Sequence, residues 1–150
     1  MNLMANEMSY DHPEIAQPST EELGLLAVAL ALEKKATKPV LLDLTSQSVF
    51  ADYFAIFSVD NSRQAVAVAE SIRLFFKEAF GLQPLSSDGL ESNNWILLDF
   101  GGIFVHVFQE TSRQYYKLEQ LWAKAKIVDV SESQSHLLLE SIRNKLQPQS

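Results

Sequence analysis

Two strand-forming runs meet at a pair of glycines, and this feature constrains the chain more than any other. Trp95–Phe100 and Ile103–Gln109 are rich in aromatic, leucine and β-branched residues, and Gly101-Gly102 is the whole link between them. A two-residue glycine link admits the positive φ angles of a tight hairpin turn, so the runs are expected to pair antiparallel. The register then follows from the turn. Phe100 meets Ile103, Leu98 meets Val105, and Ile96 meets Val107. Side chains alternate across a sheet, so Ile96, Leu98, Phe100, Ile103, Val105 and Val107 share one wholly apolar face that must lie under helices.

The opposite face collects Trp95, Leu97, Asp99, Phe104, His106 and Phe108. Trp95 should lie across from Phe108 and Leu97 across from His106, with Asp99 and His106 as diagonal neighbours within reach of a hydrogen bond. Three large aromatics beside one carboxylate and one imidazole are too apolar for an idle solvent face and too polar for plain core. One reading is a second layer, of helices or of the tail, covering this face. The favoured reading is a partner-binding patch, because interface centres are rich in aromatics. A register slipped by one residue would exchange the two faces.

The rest of the chain frames this hairpin. Ser19 with Glu22 three residues on is a capping box, and Leu23, Leu26, Ala27 and Leu30 follow at helical spacing. Lys34 and Lys35 are expected to complement the carboxyl end of that helix, and Pro39 blocks its continuation. Val40–Leu44 and Tyr53–Val59 read as strands, separated by a turn over Ser46–Ala51. Asn61 or Ser62 caps a second helix whose buried face is Ala65, Ala69, Ile72, Phe76 and Ala79. Gly81 suits its left-handed end. Pro84–Ser86 is a short strand, and Ser87–Asn94 is a loop. Ser112 is expected to cap a third helix with Tyr115, Leu118 and Trp122 on its inner stripe and Tyr116 pointing away, at the border of the patch. A weak amphipathic helix over Ser133–Leu146 closes the chain. The fold class is therefore α/β, a mixed β-sheet of about five strands with packed helices. Residues 1–18 read as a flexible leader, 19–128 as the domain, and 129–150 as a tail that the domain can fold and bind without.

Composition excludes several functions. There is no cysteine, so neither a disulfide framework nor a thiolate nucleophile or ligand exists. No apolar run approaches the roughly 20 residues of a membrane span. The first eighteen residues carry Glu7, Asp11 and Glu14 and no Lys or Arg, unlike a basic presequence. A cytoplasmic protein is expected, an organelle interior being the less favoured place. The net charge of −7 argues against direct DNA or RNA binding, which draws on cations replacing counterions. It suits an encounter with a basic protein.

Catalytic constellations are weak. His106 beside Asp99 would be half of a Ser-His-Asp arrangement, with no hydroxyl indicated for the other ring nitrogen. Asp43, Asp52, Asp60, Asp88 and Asp99 are spread over different strands and loops, so no metal site is assigned. No glycine-rich phosphate loop is present. Arg63 and Arg113, each in the first turn of a helix, read as structural ion-pair partners. No catalytic residue and no cofactor is assigned, and the chain is read as a binding module. The candidate partner-binding residues are Trp95, Leu97, Asp99, Phe104, His106, Phe108 and Tyr116.

With these residues assembled, the chain resembles the Iojap family, also called ribosomal silencing factors. The segments that carry the resemblance are ALEKKATKPVLLDLT ending at Thr45, ADYFAIFSVDNSRQ from Ala51, WILLDFGGIFVHVF from Trp95 and SRQYYKLEQLW from Ser112. They lie within about residues 20–127, with the pattern W-x-L-L-D-x-G-x-x-x-V-H-x-F followed by R-x-x-Y-x-L-E-x-L-W. The family usually has Gly-Asp at the hairpin tip, where this chain has Gly101-Gly102. The resemblance implies a nucleotidyltransferase-like α/β fold without catalytic machinery. It also implies binding to the large ribosomal subunit through its fourteenth protein, which blocks joining of the small subunit, and a homodimer when free. The alternatives are a large-subunit assembly factor and a residual nucleotidyltransferase-like enzyme. Residues 128–150 are expected to extend past the family core.

Overall fold

The computed structural model describes residues 15–47, 50–89 and 92–147. Residues 1–14 of the expected leader, and parts of the 46–51 turn and the 87–94 loop, lie outside the described residues. In chain order the elements are α1 (Thr20–Glu33), β1 (Thr37–Asp43), β2 (Tyr53–Val59), α2 (Ser62–Phe80), β3 (Ser86–Asp88), β4 (Trp95–Asp99), β5 (Ile103–Gln109), α3 (Glu110–Tyr116), α4 (Leu118–Leu121), β6 (Lys126–Val128) and α5 (Glu132–Leu146). No helix among the described residues is long and apolar enough to cross a membrane.

The strands form one mixed sheet in the order β3-β4-β5-β2-β1-β6. Only β2 and β5, the two central strands, are described as a parallel pair, with Phe54 beside Phe104, Ile56 beside His106 and Ser58 beside Phe108. Among the described residues the sheet has six strands, in keeping with the mixed α/β class expected. The strand not foreseen is β6, which pairs antiparallel with β1 through Leu41–Val128, Leu42–Ile127 and Asp43–Lys126. Three residues with no glycine or proline at their ends carry no local strand signal, and β1 supplies the hydrogen bonds that make them one.

The first two helices start at their caps. Ser19 Oγ accepts from the Glu22 amide while the Glu22 carboxylate accepts from the Ser19 amide, closing the capping box of α1. The Asn61 side chain accepts from the Gln64 amide at the start of α2, and Gly81 ends that helix at φ 66°. Lys34 and Lys35 lie beyond the last turn of α1, with Lys35 itself at φ 70°, so they do not complement the helix end as expected. Pro39 falls in an irregular stretch of β1 between the Thr37 and Val40 pairs, where a strand tolerates proline.

The third helix departs most from expectation. It runs Glu110–Tyr116, stops at Lys117 in the left-handed conformation (φ 49°), and resumes as the single turn α4. It enters directly from β5 through Gln109, with no side-chain cap from Ser112. The break at Lys117 destroys the 3.6-residue stripe expected for Tyr115, Leu118 and Trp122. Leu118 is buried, whereas Tyr115 is 79% exposed.

The sheet separates two apolar clusters. On one face Leu26, Ala27 and Leu30 of α1, Ile72 and Phe76 of α2 and Leu139 and Ile142 of α5 pack on Ile96, Leu98, Phe100, Ile103, Val105 and Val107. The apolar hairpin face thus lies under helices, as its alternation requires. Ile15, from the expected leader, is also buried there. The opposite face gathers Leu42, Leu44, Ala51, Phe54, Ile56, Phe108, Leu118 and Ala125, with Val40, Trp95, Phe104 and Trp122 at its margin. Helix α5 packs against α1 and is held by Arg143, whose guanidinium donates to both oxygens of Glu33 at 2.6 and 2.7 Å. It therefore joins the cluster opposite the aromatic face and does not cover that face.

Candidate functional site

The hairpin register places the candidate residues as the alternation demands. Trp95 pairs with Phe108, Leu97 with His106 and Asp99 with Phe104. Gly101 turns the chain at φ 93°. A second glycine, Gly89, secures the approach to β4. It has φ +84°, and a Cβ there would lie 1.9 Å from the Trp95 carbonyl oxygen, so no other residue fits without displacing the strand.

The face is divided in depth. Phe108 and His106 are buried, at 0% and 2% exposure, while Trp95, Leu97, Asp99 and Phe104 are half-buried. Tyr116, at the end of α3, is exposed, and its ring lies 4.8 Å from the indole of Trp95. That indole is stacked on Phe108 at 4.7 Å. Phe54, from β2, was not in the candidate set and turns out to be central. Its ring stacks on Phe104 at 5.6 Å, meets His106 edge-on at 4.5 Å and meets Trp122 edge-on at 5.9 Å. The result is a continuous aromatic layer from Phe104 to Tyr116, sealed on the sheet side and open at Trp95, Leu97, Phe104 and Tyr116.

The polar atoms of this layer pair differently from expectation. Asp99 and His106 do not bond to each other. Asp99 Oδ1 accepts from the Gly101 amide at 2.8 Å, which pins the hairpin turn. His106 Nδ1 accepts from Trp95 Nε1–H at 3.1 Å. Burial pushes the imidazole pKa down to about 3, so the ring is neutral. With Nδ1 accepting, the proton sits on Nε2, which is buried and has no hydrogen-bond partner among the described residues. A donor left in that state costs about 1–3 kcal/mol. The Asp-His half of a triad is therefore not assembled.

Other charged candidates also resolve. Arg113 is buried and satisfied: it donates to the Lys38 carbonyl at 2.7 Å, to Ser58 Oγ at 2.9 Å and to Glu119 at 2.7 Å. This is the expected structural ion pair, and it ties α3 and α4 to β1 and β2. Arg63 is exposed and forms no ion pair among the described residues, contrary to expectation. Asp43 spends its carboxylate on the Thr45 amide and hydroxyl, whose hydrogen bonds hold its pKa below the usual range. Among the described residues, the side chains that converge as a possible cation-binding triple are Glu33, His136 and Glu140, at the α1–α5 seam. Arg143 already bridges both carboxylates there.

Comparison with known proteins gives a consistent result. The family model described as ribosomal silencing factor during starvation matches residues 17–149. The match includes residues 128–149, which were expected to lie beyond the family core. The chain is similar to ribosomal silencing factor RsfS of Halalkalibacterium halodurans, with 36% identity over 112 residues, covering 75% of this chain and 95% of that protein. A crystal structure of a Chromobacterium violaceum protein superposes with a TM-score of 0.67 at 31% identity, over 71% of this chain and 88% of that one. A more distant relative is the mouse protein named for mitochondrial assembly of the ribosomal large subunit, 23% identical over 99 residues, which cover 65% of this chain and 43% of that protein.

Proposed function

The chain belongs to the ribosomal silencing factor family, and from that premise we propose that it represses translation by docking on the large ribosomal subunit in the cytoplasm. Docking goes through the subunit's fourteenth protein and occupies space that the small subunit needs for joining. Exclusion of this kind works by mass action and requires no chemistry. The observation that carries the reading is the half-open aromatic layer on the hairpin. Trp95, Leu97, Asp99, Phe104 and Tyr116 form the contact surface, and His106 and Phe108 lie behind them. Further support comes from the net charge of −7, which favours encounter with a basic ribosomal protein. When free, the protein forms a homodimer.

Sedimentation with separated ribosomal subunits tests the proposal. The protein should co-migrate with large subunits and be absent from small ones. Equal recovery with both, or with neither, would sink it. A role in large-subunit assembly uses the same contact at an earlier moment, and the name of the mouse relative favours that second reading. It predicts accumulation on immature large particles rather than mature ones. A nucleotidyltransferase-like enzyme would instead gain melting temperature when nucleotide and magnesium are added together.

A further inference from the structure

We infer that His106 is a positioning residue, which holds the Trp95 indole in its docking pose and does not itself touch the partner. The inference rests on the docking reading above and assigns a role within that surface.

Three observations carry it. First, His106 is 2% exposed, so a partner cannot reach it while Trp95 and Phe104 stay in place. Second, the one hydrogen bond of its ring goes to Trp95, from indole Nε1–H to Nδ1 at 3.1 Å, across the diagonal of the β4–β5 pair. Third, its other nitrogen is buried without a partner among the described residues, a cost that phenylalanine at this position would not carry. Phenylalanine would fill the same aromatic box between Phe54 and Phe108, whose rings lie 4.5 and 6.1 Å away. What phenylalanine would lack is the acceptor for the indole. The imidazole thus exchanges a local penalty for a fixed rotamer at Trp95, the one aromatic of β4. Ring contacts with Phe108 and Tyr116 are weakly directional and do not by themselves fix which edge of the indole faces inward. The Nδ1 acceptor selects one orientation, which lowers the ordering cost of binding.

The test uses the full chain. In the wild-type protein, nitrogen-15 spectra of the ring should show Nδ1 bare and Nε2 protonated. The Trp95 indole N–H, assigned by its disappearance in Trp95→Phe, should exchange slowly with solvent. Protonation at Nδ1 would overturn the proposal without any His106 variant. His106→Phe should stay folded, lose the slow exchange of the indole proton, and bind large subunits about fivefold more weakly or worse, as expected when preorganisation is lost. In the double variant the two losses should not add, because one acts through the other: Trp95→Phe with His106→Phe should bind no worse than Trp95→Phe alone. Additive losses would mean that His106 contacts the partner directly. Normal binding by His106→Phe, with Trp95→Phe weakened, would overturn the positioning role only. Normal binding by Trp95→Phe would remove the docking surface and this role with it. If His106→Phe does not fold, the wild-type ring spectra and indole exchange still decide between the two tautomers.

Discussion

At the scale of single residues, Trp95 joins fold and candidate contact, since it is half-buried against Phe108 and half-open beside Tyr116. Trp95→Glu puts a carboxylate at the centre of a dry contact. It should weaken large-subunit binding by at least about 2 kcal/mol, roughly thirtyfold. The half-open position lets the carboxylate turn to water in the free protein, so the melting temperature should fall by only a few degrees. Isothermal titration and thermal melting on the same sample separate the two effects. Normal binding by a folded variant would refute the contact. Gly89 gives the contrasting case, a residue with no contact role and a strict backbone demand. Gly89→Ala combines positive φ with a Cβ placed 1.9 Å from a carbonyl oxygen, and should cost about 1–3 kcal/mol in urea unfolding. An unchanged midpoint would mean that the loop has another conformation in solution.

At the scale of elements, what was legible depended on whether the determining interactions were local. The β4–β5 register could be read in full because a two-residue turn fixes every cross-strand pair after it. The start of α1 could be read from Ser19 and Glu22 alone. Phe54 could not be placed, because its neighbours come from the parallel pairing of β2 with β5, whose partners are 50 residues apart in sequence, and no turn sets that register. The break at Lys117 was hidden for a related reason: a lysine gives no sign of a left-handed φ, and the residue falls between Arg113 and Leu118, both of which are buried. Helix α5 was foreseen as a helix, but its docking was not, since only tertiary contact distinguishes Leu139 and Ile142 from exposed leucines such as Leu137. Its burial leads to a clear expectation. Truncation after Val128 removes two buried aliphatic side chains worth about 1.5–3 kcal/mol each and uncovers α1. The truncated protein should unfold at clearly lower urea yet still bind large subunits when folded, because α5 lies on the far side of the sheet. Unchanged stability would show that α5 is not docked in solution.

At the scale of the whole molecule, acid sensitivity follows from which groups titrate differently once folded. His106 lies among Trp95, Leu97, Phe54, Phe104 and Phe108, and burial takes its pKa from 6.5 to about 3 on folding. The unfolded chain therefore binds a proton between those values that the folded chain refuses. The stabilising contribution is fully present above pH 6.5 and declines as pH drops, by up to about 1.4 kcal/mol per pH unit. Glu33 adds a second loss at lower pH. The hydrogen bond from Arg143 lowers its pKa, so the α1–α5 pairing is present above the ordinary carboxylate range and fades as pH falls through the lowered value. Denaturation across pH 4 to 7 should show the first slope in the wild type and not in His106→Phe, and an identical slope in both would locate the titrating group elsewhere. The sheet itself has a broader consequence. Its hydrogen-bonded backbone stands as a partition between the helix-covered cluster and the aromatic layer, with few side chains shared across it. Substitutions that adjust heat tolerance on the α1, α2 and α5 side have no short route to the candidate contact side. Core substitutions on the helix-covered half can therefore change heat tolerance while leaving the candidate contact face as it is.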